Sequence, residues 1–203
     1  MTRDITIGIT GGIGSGKSVV SRVLRCNGFK VFDCDYEAKV IMNKEPTKLS
    51  LIAAFGEEIY TPDGNLNRPL MSEIIFNDKE KLRFVNSIVH QEVKNFIRME
   101  RKKTRGYFFI ESAILSGSGI TDFCDEVWLV VAPERLRLKR AMERDGVTQE
   151  KIETRMKAQS KELSQLSQEK VTVLRNDEFH AILPEILKKT KIYQQNQKYT
   201  LSC

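Results

Sequence analysis

The spacing of apolar residues changes several times along the chain, and each change marks an element. Ile5-Thr6-Ile7-Gly8-Ile9-Thr10 alternates and is rich in β-branched side chains, which predicts a strand. Val19, Val20, Val23 and Leu24 then recur at helical spacing, and Asn27-Gly28 supplies the left-handed stop expected past a helix. Lys30-Val31-Phe32-Asp33 predicts a second short strand, with the acidic pair Asp33 and Asp35 at its end. From about Tyr36 to Arg105 the pattern is helical, broken at Pro46 and by the turn chemistry of Thr61-Pro62-Asp63-Gly64-Asn65. Within it Leu82, Val85, Val89, Val93, Phe96 and Ile97 form a stripe that predicts one long helix between about Lys79 and Lys103. Tyr107 to Ile110 and Val127 to Val131 are near-continuous apolar runs, the kind buried on both faces of a parallel sheet, and Val171 to Leu174 is a weaker fifth strand. Two charged helical stretches, Glu134 to Glu143 and Thr148 to Lys161, lie between the last two strands and carry little apolar surface. The Lys- and Gln-rich tail after Tyr193 reads as a frayed end.

Strands alternating with helices predict an α/β fold: a five-stranded parallel sheet wound by right-handed crossovers. Residues 1–35 and 106–203 form the expected core, with a helical lid at about 134–161, and 36–105 form a helical insertion. The 203 residues suit one domain carrying such an insertion, and 40% hydrophobic with 30% charged residues excludes a disordered chain. The longest apolar stretches, such as Val127 to Ala132, fall far short of the roughly 20 residues that span a bilayer, and the N-terminus has no signal-peptide profile. No membrane association and a cytoplasmic location are therefore expected. Cys26, Cys34, Cys124 and Cys203 have neither zinc-site spacing nor disulfide-scaffold density and read as reduced thiols. The net charge of +6 favours anionic partners such as phosphates or nucleic acid.

Chemistry concentrates first at Gly11-Gly12-Ile13-Gly14-Ser15-Gly16-Lys17-Ser18. This run satisfies G-x-x-x-x-G-K-[ST] after a predicted strand and before a predicted helix, the context that gives the motif its meaning. Its backbone N–H groups, from Gly12 to Ser18, are expected to surround a polyphosphate at a helix N-terminus; Lys17 would reach the β- and γ-phosphates and Ser18 would ligate Mg²⁺. Asp33 and Asp35 open onto the same carboxyl edge, where a carboxylate can orient an attacking hydroxyl, hold a magnesium-bound water, or simply cap a helix. Arg135, Arg137, Arg140, Arg144 and Arg155 populate the two charged helices. As a cluster they read as a lid over ATP; singly, each also fits a solvated helix face. Glu111, after the third strand, is either a carboxylate that reaches Mg²⁺ through water or part of a helix cap with Ser112. His90 within the long helix more often closes a local hydrogen bond than shuttles protons, and Trp128 in an apolar strand is core.

These motifs together resemble the dephospho-CoA kinases, P-loop kinases that finish coenzyme A synthesis, and the resemblance covers most of the chain. Thr10 to Ser18 looks like that family's phosphate loop, and Val31-Phe32-Asp33-Cys34-Asp35 resembles its strand ending in two aspartates, with Asp35 at the catalytic carboxylate. Gly64, Leu66, Arg68, Leu70, Ile75-Phe76 and Asn86-Ser87-Ile88-Val89-His90 are similar to its acceptor-binding helical block. Arg140, Arg144-Asp145, Arg155 and Gln159 match its lid pattern, and Asn176 matches an asparagine beside the adenine. Gln91 and Ser116-Gly117 depart from the family's usual residues.

The resemblance implies ATP-dependent phosphorylation of the ribose 3′-hydroxyl of dephospho-CoA, with Mg²⁺. It implies Lys17, Asp35, Arg140 and Arg144 in catalysis, Asn176 beside the nucleotide, and Asp33, Arg68, Asn86 and His90 on the acceptor side. The residues themselves leave two rivals: a P-loop kinase of a nucleoside or nucleoside monophosphate, and a nucleic-acid-dependent ATPase suited to the charge and to Arg101-Lys102-Lys103-Thr104-Arg105. No aromatic-basic interleaving accompanies that charge, so no nucleic-acid partner is expected. A monomer and a small homo-oligomer both remain open.

Overall fold

Among the described residues five strands, β1 (Ile5–Gly11), β2 (Lys30–Asp33), β3 (Tyr107–Glu111), β4 (Glu126–Val131) and β5 (Val171–Arg175), pair in parallel in the order β2-β3-β1-β4-β5. The computed structural model describes residues 4–76, 78–166 and 170–201, so Cys203 lies outside them. The apolar alternation explains why β1 takes the centre. Ile7 and Ile9, fully buried, face one layer together with Val31, Phe109, Trp128, Val130 and Leu174. The intervening Gly8 faces the other layer, where an added Cβ would lie 2.9 Å from Cys124 Sγ and 3.0 Å from Leu115 Cδ1. A side chain at this position would force Cys124 and Leu115 to shift.

The first layer is covered by α1 (Lys17–Cys26), through Val20 and Leu24, and by α8 (Ile182–Leu201), through Ile182 and Ile186. Helix α8 corrects the expectation of a frayed tail after Tyr193. The Tyr193 ring stacks on Tyr107 with centroids 4.0 Å apart and meets Trp128 at 6.2 Å and Phe29 at 6.4 Å. A partly buried aromatic anchor of this kind outweighs the polar composition around it.

Between β4 and β5 run α6 (Glu134–Asp145) and α7 (Gln149–Leu163). Their sequences promised little apolar surface, but buried Ala141, Ile152 and Met156 form a small core of their own, with Ile13, Leu138, Met142 and Val147 packed against it. Ile13 belongs to the glycine loop, so this core docks both helices on that loop.

The chain divides into two compact units, Met1–Asp33 with Arg101–Cys203, and Cys34–Glu100. The second contains α2 (Cys34–Ile41), α3 (Thr47–Phe55), α4 (Arg68–Phe76) and most of α5 (Lys79–Lys103). The predicted turn is present: Thr61 and Asn65 are joined by a backbone bond of 2.8 Å, and Gly64 adopts φ +81°. Helix α5 is stitched by Val85, Val89, Val93 and Ile97, all buried, whereas Leu82 at the head of the predicted stripe is exposed.

Candidate functional site

The glycine loop lies between the end of β1 and the start of α1, at the carboxyl edge of the sheet, where α/β folds place their ligands. Gly14 (φ +76°) and Gly16 (φ +104°) occupy the left-handed region, and side chains there would also collide, with the Arg137 backbone and with the Asn176 carboxamide respectively. Ser15 N–H donates to the Gly12 carbonyl at 3.0 Å and closes a turn, while Ser18 is exposed in the first turn of α1. Among the described residues the amides of Gly14, Gly16 and Ser18 have no protein acceptor. Unpaired N–H groups at a helix N-terminus are the chemistry that takes anionic oxygens. Lys17 Nζ donates to the Gly11 carbonyl at 2.7 Å, which keeps the ammonium within the loop.

Three side chains from distant parts of the chain support this loop. Asn176, just after β5, donates from Nδ2 to the Ser15 carbonyl at 2.8 Å, and its own carbonyl accepts from Arg140 Nη1 at 3.2 Å. Arg137 lies over Gly12 so closely that a Cβ there would meet its guanidinium. Gln159, from α7, reaches Gly11 and Ile13. Arg140 is thereby brought toward the loop. Arg144 is engaged elsewhere, paired with Asp145 at 2.7 and 3.1 Å, and Arg155 joins the same carboxylate at 3.4 Å. The Arg144 hydrogen bond holds the Asp145 carboxyl below its usual range. The predicted arginine cluster therefore resolves into Arg137 and Arg140 at the loop, Arg144 and Arg155 at the α6–α7 turn, and Arg135 exposed on α6.

On the other side of β1, Asp33 and Glu111 are register partners at the ends of β2 and β3. Burial pushes the Glu111 carboxyl above its ordinary range; the Ser21 hydroxyl draws it back, Asp33 pushes it up again, and Lys17 and Arg25 draw it down. Glu111 thus shares a field with the loop lysine. Its alternative reading as part of a helix cap finds no helix to cap, because Ser112 Oγ accepts from Ile114 N at 3.2 Å and turns follow. Asp35 is not on the strand end: β2 stops at Asp33 and α2 begins at Cys34, so Asp35 stands exposed in the first turn of α2, where a carboxylate is favoured by the helix dipole. In the same unit Arg68 begins α4 and is exposed, and Asn86 and His90 are half-buried one turn apart on α5.

The family model for dephospho-CoA kinase matches residues 5–181. The chain belongs to this family. A dephospho-CoA kinase of Porphyromonas gingivalis is 40% identical over 186 residues, spanning 91% of this chain and 92% of that one. One of Fusobacterium nucleatum is 36% identical, spanning 89% and 94%. Among solved structures, a Thermus thermophilus protein superposes with a TM-score of 0.78 at 30% identity over 94% of this chain and 98% of that one. A shikimate kinase of Acinetobacter baumannii, at TM-score 0.52 and 16% identity over 95% of this chain and 94% of that one, shares the fold. Membership makes the chain a kinase, an enzyme class that uses ATP, and the two rival readings are not favoured. Among the described residues no helix is long and apolar enough to cross a membrane.

Arg137 and Gln159 support the loop, a role that sequence reasoning, which placed both in the lid, did not give them. Arg137 was visible only as one of many arginines. The contact of Gln159 with Ile13 joins positions 146 apart, for which no local pattern exists.

Proposed function

We propose that this enzyme transfers the γ-phosphoryl group of ATP to the ribose 3′-hydroxyl of dephospho-CoA, giving CoA and ADP. The observation that carries the reading is the phosphate loop, with unpaired amides at the N-terminus of α1 and Lys17 held inside it, in a chain of this family. The hydroxyl oxygen forms the new bond to the γ-phosphorus as the bond to the β-phosphate oxygen breaks, and Asp35 orients the hydroxyl and takes its proton. Lys17 stabilises the charge on the transferring group, and the amides of Gly12 to Ser18 hold the β-phosphate. Asn176 lies beside the adenine. The α6–α7 pair is the lid: Arg140 acts on the phosphates from beside the loop, Arg144 does so on leaving Asp145, and both exclude water, which favours transfer over hydrolysis. Asp33, Arg68, Asn86 and His90 serve the acceptor side, residues 36–105 being its binding unit.

The donor set fits Mg²⁺, a cation that usually keeps several waters and binds phosphates: Ser18 would offer its exposed hydroxyl, and Glu111 with Asp33 would offer carboxylates to the ion's waters. When bound, the ion neutralises charge on the β- and γ-oxygens.

The test is ATP turnover against a panel of dephospho-CoA, nucleosides, nucleoside monophosphates and single-stranded nucleic acid. Turnover with dephospho-CoA, with the phosphate on the ribose 3′-oxygen, is expected. Preference for a nucleoside, or ATP hydrolysis stimulated by nucleic acid, would overturn the reading.

A further inference from the structure

We propose that Gln159 is a positioning residue for nucleotide binding, the strut that keeps the phosphate loop hydrogen-bonded while Lys17 exchanges a backbone carbonyl for phosphate. Its carboxamide is buried, with 7% of the residue exposed, and all its bonds run to backbone. Oε1 accepts from Ile13 N–H at 2.8 Å, and Nε2 donates to the carbonyls of Gly11 at 3.2 Å and Ala113 at 2.9 Å. Only an amide side chain both donates and accepts in this way: a carboxylate cannot serve the two carbonyls, and an ammonium cannot serve Ile13.

The Gly11 carbonyl has two donors, Lys17 Nζ and Gln159 Nε2. Nucleotide phosphate competes with this carbonyl for the Lys17 ammonium. A buried carbonyl left without a donor would subtract its desolvation cost from nucleotide affinity, and Gln159 prevents that loss. The same side chain takes the Ile13 amide and leaves those of Gly14, Gly16 and Ser18 for the ligand. Helix α7 is built to deliver this contact. Ile152, Met156 and Gln159 lie on one helical face, and the first two pack in the cluster that receives the Ile13 side chain. Ile13 is thus held twice by α7, at its side chain and at its amide.

The inference rests on the loop being the ATP site, so wild-type binding is measured in the same series. Gln159→Met keeps the side-chain length and removes every bond. ADP affinity by equilibrium titration should weaken at least tenfold, equivalent to about 1.4 kcal/mol. KM for ATP should rise with it, while KM for dephospho-CoA stays within twofold. A merely structural role would lower the melting temperature and the active fraction but leave ADP affinity intact, and that result overturns the proposal. If Gln159→Met does not fold by circular dichroism, Gln159→Asn, which withdraws the amide by one methylene, is read in the same way: weakened ADP binding supports the strut, and unchanged binding overturns it. Wild-type protein that fails to bind ADP would sink the ATP-site reading and this proposal with it. Wild-type binding with unchanged variants would sink this proposal alone.

Discussion

At the scale of single residues, Asp33 and Asp35 look equivalent in the sequence but stand in different environments. Asp33 ends β2 beside Glu111, and Asp35 is exposed in the first turn of α2. Phosphoryl transfer has a loose transition state, so the acceptor hydroxyl needs orientation more than early deprotonation. Asp35→Asn should therefore lower turnover with dephospho-CoA by roughly two orders of magnitude with ATP binding little changed, and Asp33→Asn should be milder. Steady-state kinetics showing the reverse order would exchange their roles. Glu111 supplies a pH prediction. Its carboxyl is raised in the folded state, so it binds its proton more tightly there than in the unfolded chain, and its contribution to stability falls as pH rises through the two values. Near neutral pH the buried charge is a cost that Glu111→Gln removes. The variant should melt higher than wild type near neutrality, with the gap closing as pH falls toward the ordinary carboxylate value of about 4.3. Its turnover should fall, because the carboxylate proposed to reach Mg²⁺ is lost; melting curves over a pH series with parallel rate measurements check both.

At the scale of elements, the α6–α7 pair brings two arginines and a glutamine to the glycine loop. A helix pair so rich in charge would be solvated without the Ala141, Ile152 and Met156 cluster, which fixes it on Ile13. Docking sets the directions of the arginines. Arg140 reaches the carbonyl of Asn176, itself bonded to Ser15, so the arginine and the phosphate loop share one hydrogen-bonded chain. Arg140→Ala should lower transfer at least about a hundredfold, as loss of a charge-stabilising donor does, and raise the ratio of ATP hydrolysis to transfer. ADP and CoA are quantified separately in one assay, and an unchanged ratio with an unchanged rate would place Arg140 outside the reaction.

At the scale of the whole molecule, the core of the first unit is an aromatic assembly of Phe29, Tyr107, Phe109, Trp128 and Tyr193, and its last member arrives from α8. The sheet is thereby sealed by nearly the last part of the chain. Tyr193→Ala should cost about 3 kcal/mol, as aromatic truncations in cores do, and lower the melting temperature by roughly 6–12 °C. Trp128 fluorescence reports it, since the indole stacks against Tyr193. A shift below a degree or two would show that α8 adds little to the core.

Local physics alone determined the strands, the long α5 helix and the phosphate loop. Alternation, helical spacing and glycine-lysine spacing are properties of neighbouring residues, and the elements they specify stand where the pattern put them. Tertiary structure decided which polar residues meet. The sequence ordered the arginines along two helices; packing on Ile13 sent Arg137 and Arg140 to the loop and left Arg144 and Arg155 on Asp145. It showed a glutamine in a lid pattern, and the fold closed a loop of 146 residues to put that amide on Ile13. The tail looked frayed because its residues are polar, yet the helix runs to Leu201 and its Tyr193 ring stacks on Tyr107. Hydrogen bonds and apolar contacts between distant positions depend on the arrangement of the whole sheet, and no window of sequence contains both partners.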